Sequence, residues 1–180
     1  MTHIIRRLAL VVATVAALLG AGESRAATVA LVPADSNITV ADEIVLRMEA
    51  SGVSDLKGFQ IELTFDPSVL QALSASRGTL LPFGPSGSFF QSVLSNAPGD
   101  GRVLCDAAVL TGSASGSGTL GTVRFRALAI GTCPITVSLV DFRDSANVTS
   151  TPGATGSTIR VFGPVPTTRS SWAKVKSLYR

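Results

Sequence analysis

Apolar and polar residues alternate along much of this chain with a period of two. In "GFQIELTF", residues 58–65, Phe59, Ile61, Leu63 and Phe65 alternate with Gln60, Glu62 and Thr64 before Asp66-Pro67 breaks the run. That period belongs to a β-strand with one face in a core and the other in water. Ile44, Leu46 and Met48 repeat it, as do Val123, Phe125 and Ala127 with Arg124 and Arg126 between them, and Ile135, Val137 and Leu139. Nine strands are predicted: Thr28–Val32, Glu43–Ala50, Gly58–Phe65, Val69–Ala75, Ser88–Leu94, Arg102–Leu110, Thr119–Leu128, Ile135–Phe142 and Ser157–Phe162. The segments between them, such as "SGVSD", "PFGPSG", "NAPGDG" and "TGSASGSG", are rich in turn-forming Gly, Pro, Ser, Asn and Asp. "DPSVLQAL" has a second reading as a turn of helix, with Asp66 as cap and Pro67 at the first position. Many short strands with regular turns predict an all-β, two-sheet antiparallel sandwich.

In "RVLCDAAVL" the pattern points Val103, Cys105, Ala107 and Val109 inward and leaves Leu104, Asp106, Ala108 and Leu110 outside. That outer row is unusually apolar, and such a row marks a binding or covered face. The fifth strand, "SFFQSVLS", has adjacent Phe89 and Phe90 and does not declare which face is which.

The ends of the chain differ from its body. Residues 1–26 hold Arg6 and Arg7, an apolar run from Leu8 to Leu19, and small residues ending in Ser24-Arg25-Ala26. This is the layout of a cleaved secretory signal, and the run is shorter than the roughly 20 residues of a membrane span. An exported, extracellular or cell-surface protein with no membrane span after cleavage is therefore expected, with a domain over 27–163. Residues 164–180 make a Pro-containing linker and a short basic amphipathic tail with Trp172 and Tyr179. The basic balance resides in these ends: residues 27–164 carry 8 Lys+Arg against 11 Asp+Glu. A nucleic-acid partner, which needs a basic face on the domain, is not expected.

The only histidine, His3, lies in the leader. Ser-His-Asp and Cys-His catalysis and His-ligated metals are thereby excluded from the mature chain. No cofactor and no metal site are expected. Asp141 and Asp144 in "VDFRDSAN", and Asp35 with Asn37, lack the dense spacing of a calcium loop and read as turn formers. Cys105 and Cys133 are the only cysteines. An oxidising compartment tips the reading toward one disulfide, worth about 3 kcal/mol, with two buried thiols as the alternative.

The order of these segments resembles the cohesin family, the dockerin-binding modules of cellulosome scaffoldins. "GFQIELTFDPSVLQAL" resembles the family's third strand, with Phe65 where Tyr is common. "GDGRVLCDAAV" resembles the sixth, "GSGTLGTVRFRAL" the seventh, and "GTCPITVSLVDFRDSANV" with "TGSTIRVF" the last pair. The resemblance covers residues 28–162 and implies a nine-stranded jelly-roll sandwich. It also implies that a dockerin-like domain, itself requiring calcium, would lie across the sheet of strands eight, three, six and five. Carried onto this chain, the partner-binding residues would be Gln60, Glu62 and Thr64, then Leu104, Asp106 and Ala108, then Thr136, Ser138 and Val140. Three function classes follow. The first is a non-catalytic interaction module, and the second a carbohydrate-binding or adhesive sandwich, which needs exposed aromatics such as Phe89, Phe90 or Trp172. The third, a carboxylate-pair enzyme, needs a deep cleft that a sandwich of this size does not readily supply.

Overall fold

The computed structural model describes residues 26–84 and 87–164. Residues 1–25 of the 1–26 leader and residues 165–180 of the 164–180 tail lie outside the described residues. Eleven strands and no helix occur among the described residues. They are β1 (Thr28–Pro33), β2 (Asn37–Thr39), β3 (Glu43–Phe65), β4 (Leu70–Arg77), β5 (Ser88–Ala97), β6 (Asp100–Val109), β7 (Ala114–Ala127), β8 (Gly131–Asp144), β9 (Thr149–Ser150), β10 (Gly153–Thr155) and β11 (Ser157–Phe162). The all-β sandwich is as expected, with β2, β9 and β10 as additional short strands.

Two predicted strands are one. "SGVSD" reads as a turn in sequence, yet β3 runs through it for 23 residues. Its first half pairs with β1 and β7, and its second half with β6 and β8. Register shifts at Met48/Glu49, Ala50/Val53 and Val53/Leu56 bend the strand so that it leaves one layer and enters the other. Left-handed backbone at Gly52 (φ 66°) and Asp55 (φ 52°) makes this corner. The Asp55 amide donates to Ser115 Oγ at 3.0 Å, and its carboxylate accepts from the Ser145 hydroxyl. A polar clamp thus holds a bend that hydrophobic patterning does not encode.

The back layer places β4, β7, the first half of β3 and β1 side by side, with β10 parallel to β1. The front layer runs β8, β3, β6, β5, and the first half of β8 continues into β11 and β2. Side chains from both layers meet between them. Phe65 of β3 packs edge-on against Phe125 of β7 with ring centroids 5.1 Å apart. No polar or charged side chain is buried among the described residues. The predicted inward sets on β6 and β7 are buried, as are Ile44, Leu46 and Met48.

"DPSVLQAL" forms a single turn leading into β4. Asp66 Oδ1 accepts from the Ser68 amide at 2.9 Å, and its carbonyl accepts from the Val69 and Leu70 amides. β4 then pairs with β7, which ends any helical continuation.

Both cysteines are free thiols, which corrects the disulfide reading. Cys105 stands opposite Ile61, which on its other side faces Val140. Cys133 lies seven residues further back along β8, with one residue taken up by a bulge. At about 3.3 Å per residue the two thiols are separated by roughly 20 Å along the strands, far beyond disulfide reach.

Candidate functional site

The front sheet turns its outer face to solvent, and pairing registers sort that face into rows. Asp141, Gln60, Asp106 and Gln91 form one row across β8, β3, β6 and β5. Leu139, Glu62, Leu104 and Val93 form the next, followed by Thr136, Thr64, Arg102 and Ser95. On the other side lies the row Arg143, Gly58, Ala108 and Phe89. Six of the nine predicted partner-binding residues, Gln60, Glu62, Thr64, Leu104, Asp106 and Ala108, are half-buried on this outer face, and Thr136 and Ser138 are exposed there.

Val140 is the exception. It is buried at 6% exposure, whereas Leu139, predicted inward, is 37% exposed. The cause is a β-bulge: Glu62 pairs with Leu139 and Leu63 with Val137, so Ser138 has no partner of its own. One inserted residue reverses the facing of everything beyond it. Asp141 and Arg143 therefore join the outer face, and Val140 and Phe142 enter the core. The Ser138 hydroxyl secures the bulge by donating to Glu62, with Oε1 at 2.8 Å and the main-chain oxygen at 3.2 Å.

Sequence reasoning missed Leu139, Asp141 and Arg143 for that reason. It also left β5 unassigned, where the structure turns Phe89, Gln91 and Val93 outward and Phe90 toward the core. The signal for β5 was present but equivocal, since either Phe could have faced in.

The polar groups of the face are partly tied to one another. Arg102 Nη1 donates to Glu62 Oε2 at 3.3 Å, and the Thr64 and Thr136 hydroxyls share a 2.7 Å bond. Glu62 is thus held from two sides in the midst of the Leu139–Leu104–Val93 row. Beside it lies a shallow cavity of about 410 Å³. Gly58 and Ala108 floor it, Phe89 and Gln91 wall one side, and Asp141 and Arg143 the other. A Cβ on Gly58 would stand 3.0 Å from the Ala107 carbonyl oxygen and 3.3 Å from Ala108 Cβ, so the glycine keeps the floor low.

Asp144 Oδ1 accepts from the Ala146 and Val148 amides, and Asp35 Oδ1 from the Asn37 amide, as turn formers do. No group of three or more His, Cys, Asp or Glu gathers as a metal site among the described residues.

A two-layer β-sandwich with one broad, mixed apolar and polar sheet face is the build of an interaction module, which recognises partners over a surface. The cohesin domain model matches residues 28–161, and the chain belongs to that family. Solved structures share the fold. The second type II cohesin module of the ScaA adaptor scaffoldin of Acetivibrio cellulolyticus aligns with a TM-score of 0.67 at 16% identity, over 83% of this chain and 98% of that one. A non-cellulosomal cohesin from the archaeon Archaeoglobus fulgidus gives 0.63 at 15% identity, over 87% and 99%. The cohesin of a type II cohesin–X–dockerin complex from Acetivibrio cellulolyticus gives 0.62 at 16% identity, over 77% and 96%. No curated protein sequence matches the chain.

Proposed function

We propose that this chain is an exported, non-catalytic receptor whose β8–β3–β6–β5 face docks a dockerin-type domain. Calcium would be required by that partner and not by this chain. The carrying observation is the row Leu139–Glu62–Leu104–Val93, an apolar centre whose one carboxylate is ion-paired with Arg102 and hydrogen-bonded by Ser138. Rows of amide, carboxylate and hydroxyl groups flank it, the arrangement of an apolar core with a polar rim. Membership of the cohesin family, with a dockerin complex among its similar structures, supports the same reading. Export rests on the leader, and no helix among the described residues is long and apolar enough to cross a membrane.

The test is capture of partners from the host's exported proteins by the immobilised full chain, with and without a calcium chelator. A partner held with calcium and released by chelator supports the reading and supplies the ligand. Leu104→Arg should then weaken binding by about 30-fold or more, the loss of one anchor of about 2 kcal/mol. A polysaccharide retained regardless of chelator would favour the second reading. That alternative draws on Phe89, 53% exposed at the wall of the cavity beside Gln91 and Asp141.

A further inference from the structure

β5 is the outer strand of the front layer and, among the described residues, pairs only with β6. Its ladder runs from Ser88 opposite Val109 to Ala97 opposite Asp100 without a register shift. Its sequence, "SFFQSVLSNA", contains no charge and no proline. Exposed edge strands are normally blunted by a charge, a proline or a bulge. β4, the edge of the back layer, has Arg77 and a bulge between Ala72 and Ser74, whereas β5 has neither.

The open backbone groups can be assigned. The Leu110 amide donates to the Gly87 carbonyl at 2.6 Å, one step before Ser88 opposite Val109. In an antiparallel ladder, hydrogen-bonded residues alternate with residues whose N–H and C=O point away. Gly87, Phe89, Gln91 and Val93 therefore bond toward β6, and Ser88, Phe90, Ser92 and Leu94 direct their backbone groups to the open side. Side-chain burial agrees. Phe90 and Leu94 face the core yet are only half-buried, whereas their partners Ala107 and Val103 on β6 are buried. Among the described residues the flank of the core is only partly covered there, and another strand would cover it further. At its far end the edge is closed, because the Asn96 side chain bonds the Ala72 amide and carbonyl at 2.8 and 3.0 Å.

We infer that residues 88–94 of β5 pair antiparallel with the same residues of a second copy of this chain. The segment is self-complementary about Gln91. With Gln91 facing Gln91 of the second copy, Phe89 meets Val93 and Val93 meets Phe89, an aromatic and β-branched pair on each side of the two-fold axis. Phe90 and Ser92 then exchange backbone hydrogen bonds across the axis, and no like charges oppose one another. The two front layers become one continuous sheet, and two copies of the docking face lie side by side.

Sedimentation velocity on the full chain over a range of concentrations tests this, together with amide hydrogen exchange. A concentration-dependent dimer is expected, with the Ser88, Phe90, Ser92 and Leu94 amides slowing as it forms. Ser92→Pro removes an outward amide without removing a β5–β6 bond and should abolish the dimer. Gln91→Lys sets two ammonium groups at the axis and should shift the association midpoint to higher concentration while leaving the thermal midpoint of the monomer unchanged. A chain monomeric at every concentration overturns the inference. So does a dimer unmoved by Gln91→Lys, or one that leaves those four amides unprotected.

Discussion

Gly101, the second residue of β6, pairs with Phe65 at the end of β3, where an added Cβ would come within 2.2 Å of the Phe65 carbonyl oxygen and 2.8 Å of Pro67 Cδ. Backbone cannot yield there as a flexible side chain could, so Gly101→Ala should cost about 2–3 kcal/mol. A urea titration would show it as a lowered midpoint with unchanged slope. The thiols are a second matter of single residues. Burial pushes the Cys105 thiol up to about 12, with nearby Asp106 adding to it, and burial also raises Cys133. Reactivity requires the thiolate. Iodoacetamide at pH 8 should therefore leave both thiols unlabelled in the folded protein and label both after denaturation, read by mass. A non-reducing digest should contain no Cys105–Cys133 cross-link.

Among the elements, β8 decides how the outer face of the front sheet is composed. Its bulge at Ser138 predicts opposite outcomes for adjacent residues. Leu139→Ser should cost less, about 0.5–1 kcal/mol, because more than a third of the residue already meets solvent. Val140→Ser should cost about 2 kcal/mol, losing buried methyl contacts and placing a hydroxyl in the core. Thermal unfolding of the two variants checks the facing directly. The reverse ranking would mean that β8 follows the uninterrupted alternation of its sequence.

The whole molecule responds to pH at both extremes. Asp42, Asp55 and Asp66 are held below their ordinary values, chiefly by side-chain hydrogen bonds from Thr39, from Ser113 with Ser145, and from Ser68. A carboxylate lowered in the folded state stabilises above its unfolded value, and that contribution is lost as pH falls through the folded one. Stability should therefore decline below about pH 4. Cys105 acts in the opposite sense. Its folded value is raised, so its contribution is complete below about pH 9 and lost as pH rises toward 12, by up to about 1.4 kcal/mol per pH unit. Denaturation midpoints from pH 3 to 11 should form a plateau with two falling limbs. Cys105→Ala should make the alkaline limb shallower, Cys133 still contributing, while leaving the acid one.

Local alternation was sufficient for much of this protein. The inward sets of residues 59–65, 103–109 and 123–127 were legible because a strand with one buried face must alternate wherever its ladder is regular. The same regularity places Gln60, Glu62, Thr64, Leu104, Asp106 and Ala108 outside. Tertiary structure decided the rest, and in each case the physical cause lies in pairing between distant residues. The bulge that buries Val140 exists only against β3, and the bend that makes residues 43–65 one strand depends on β7 and on Ser115 and Ser145. The separation of the thiols is a matter of register between β6 and β8. Which Phe of β5 faces out, and that its far edge stands open, follows from β6 lying on one side with no described strand paired on the other.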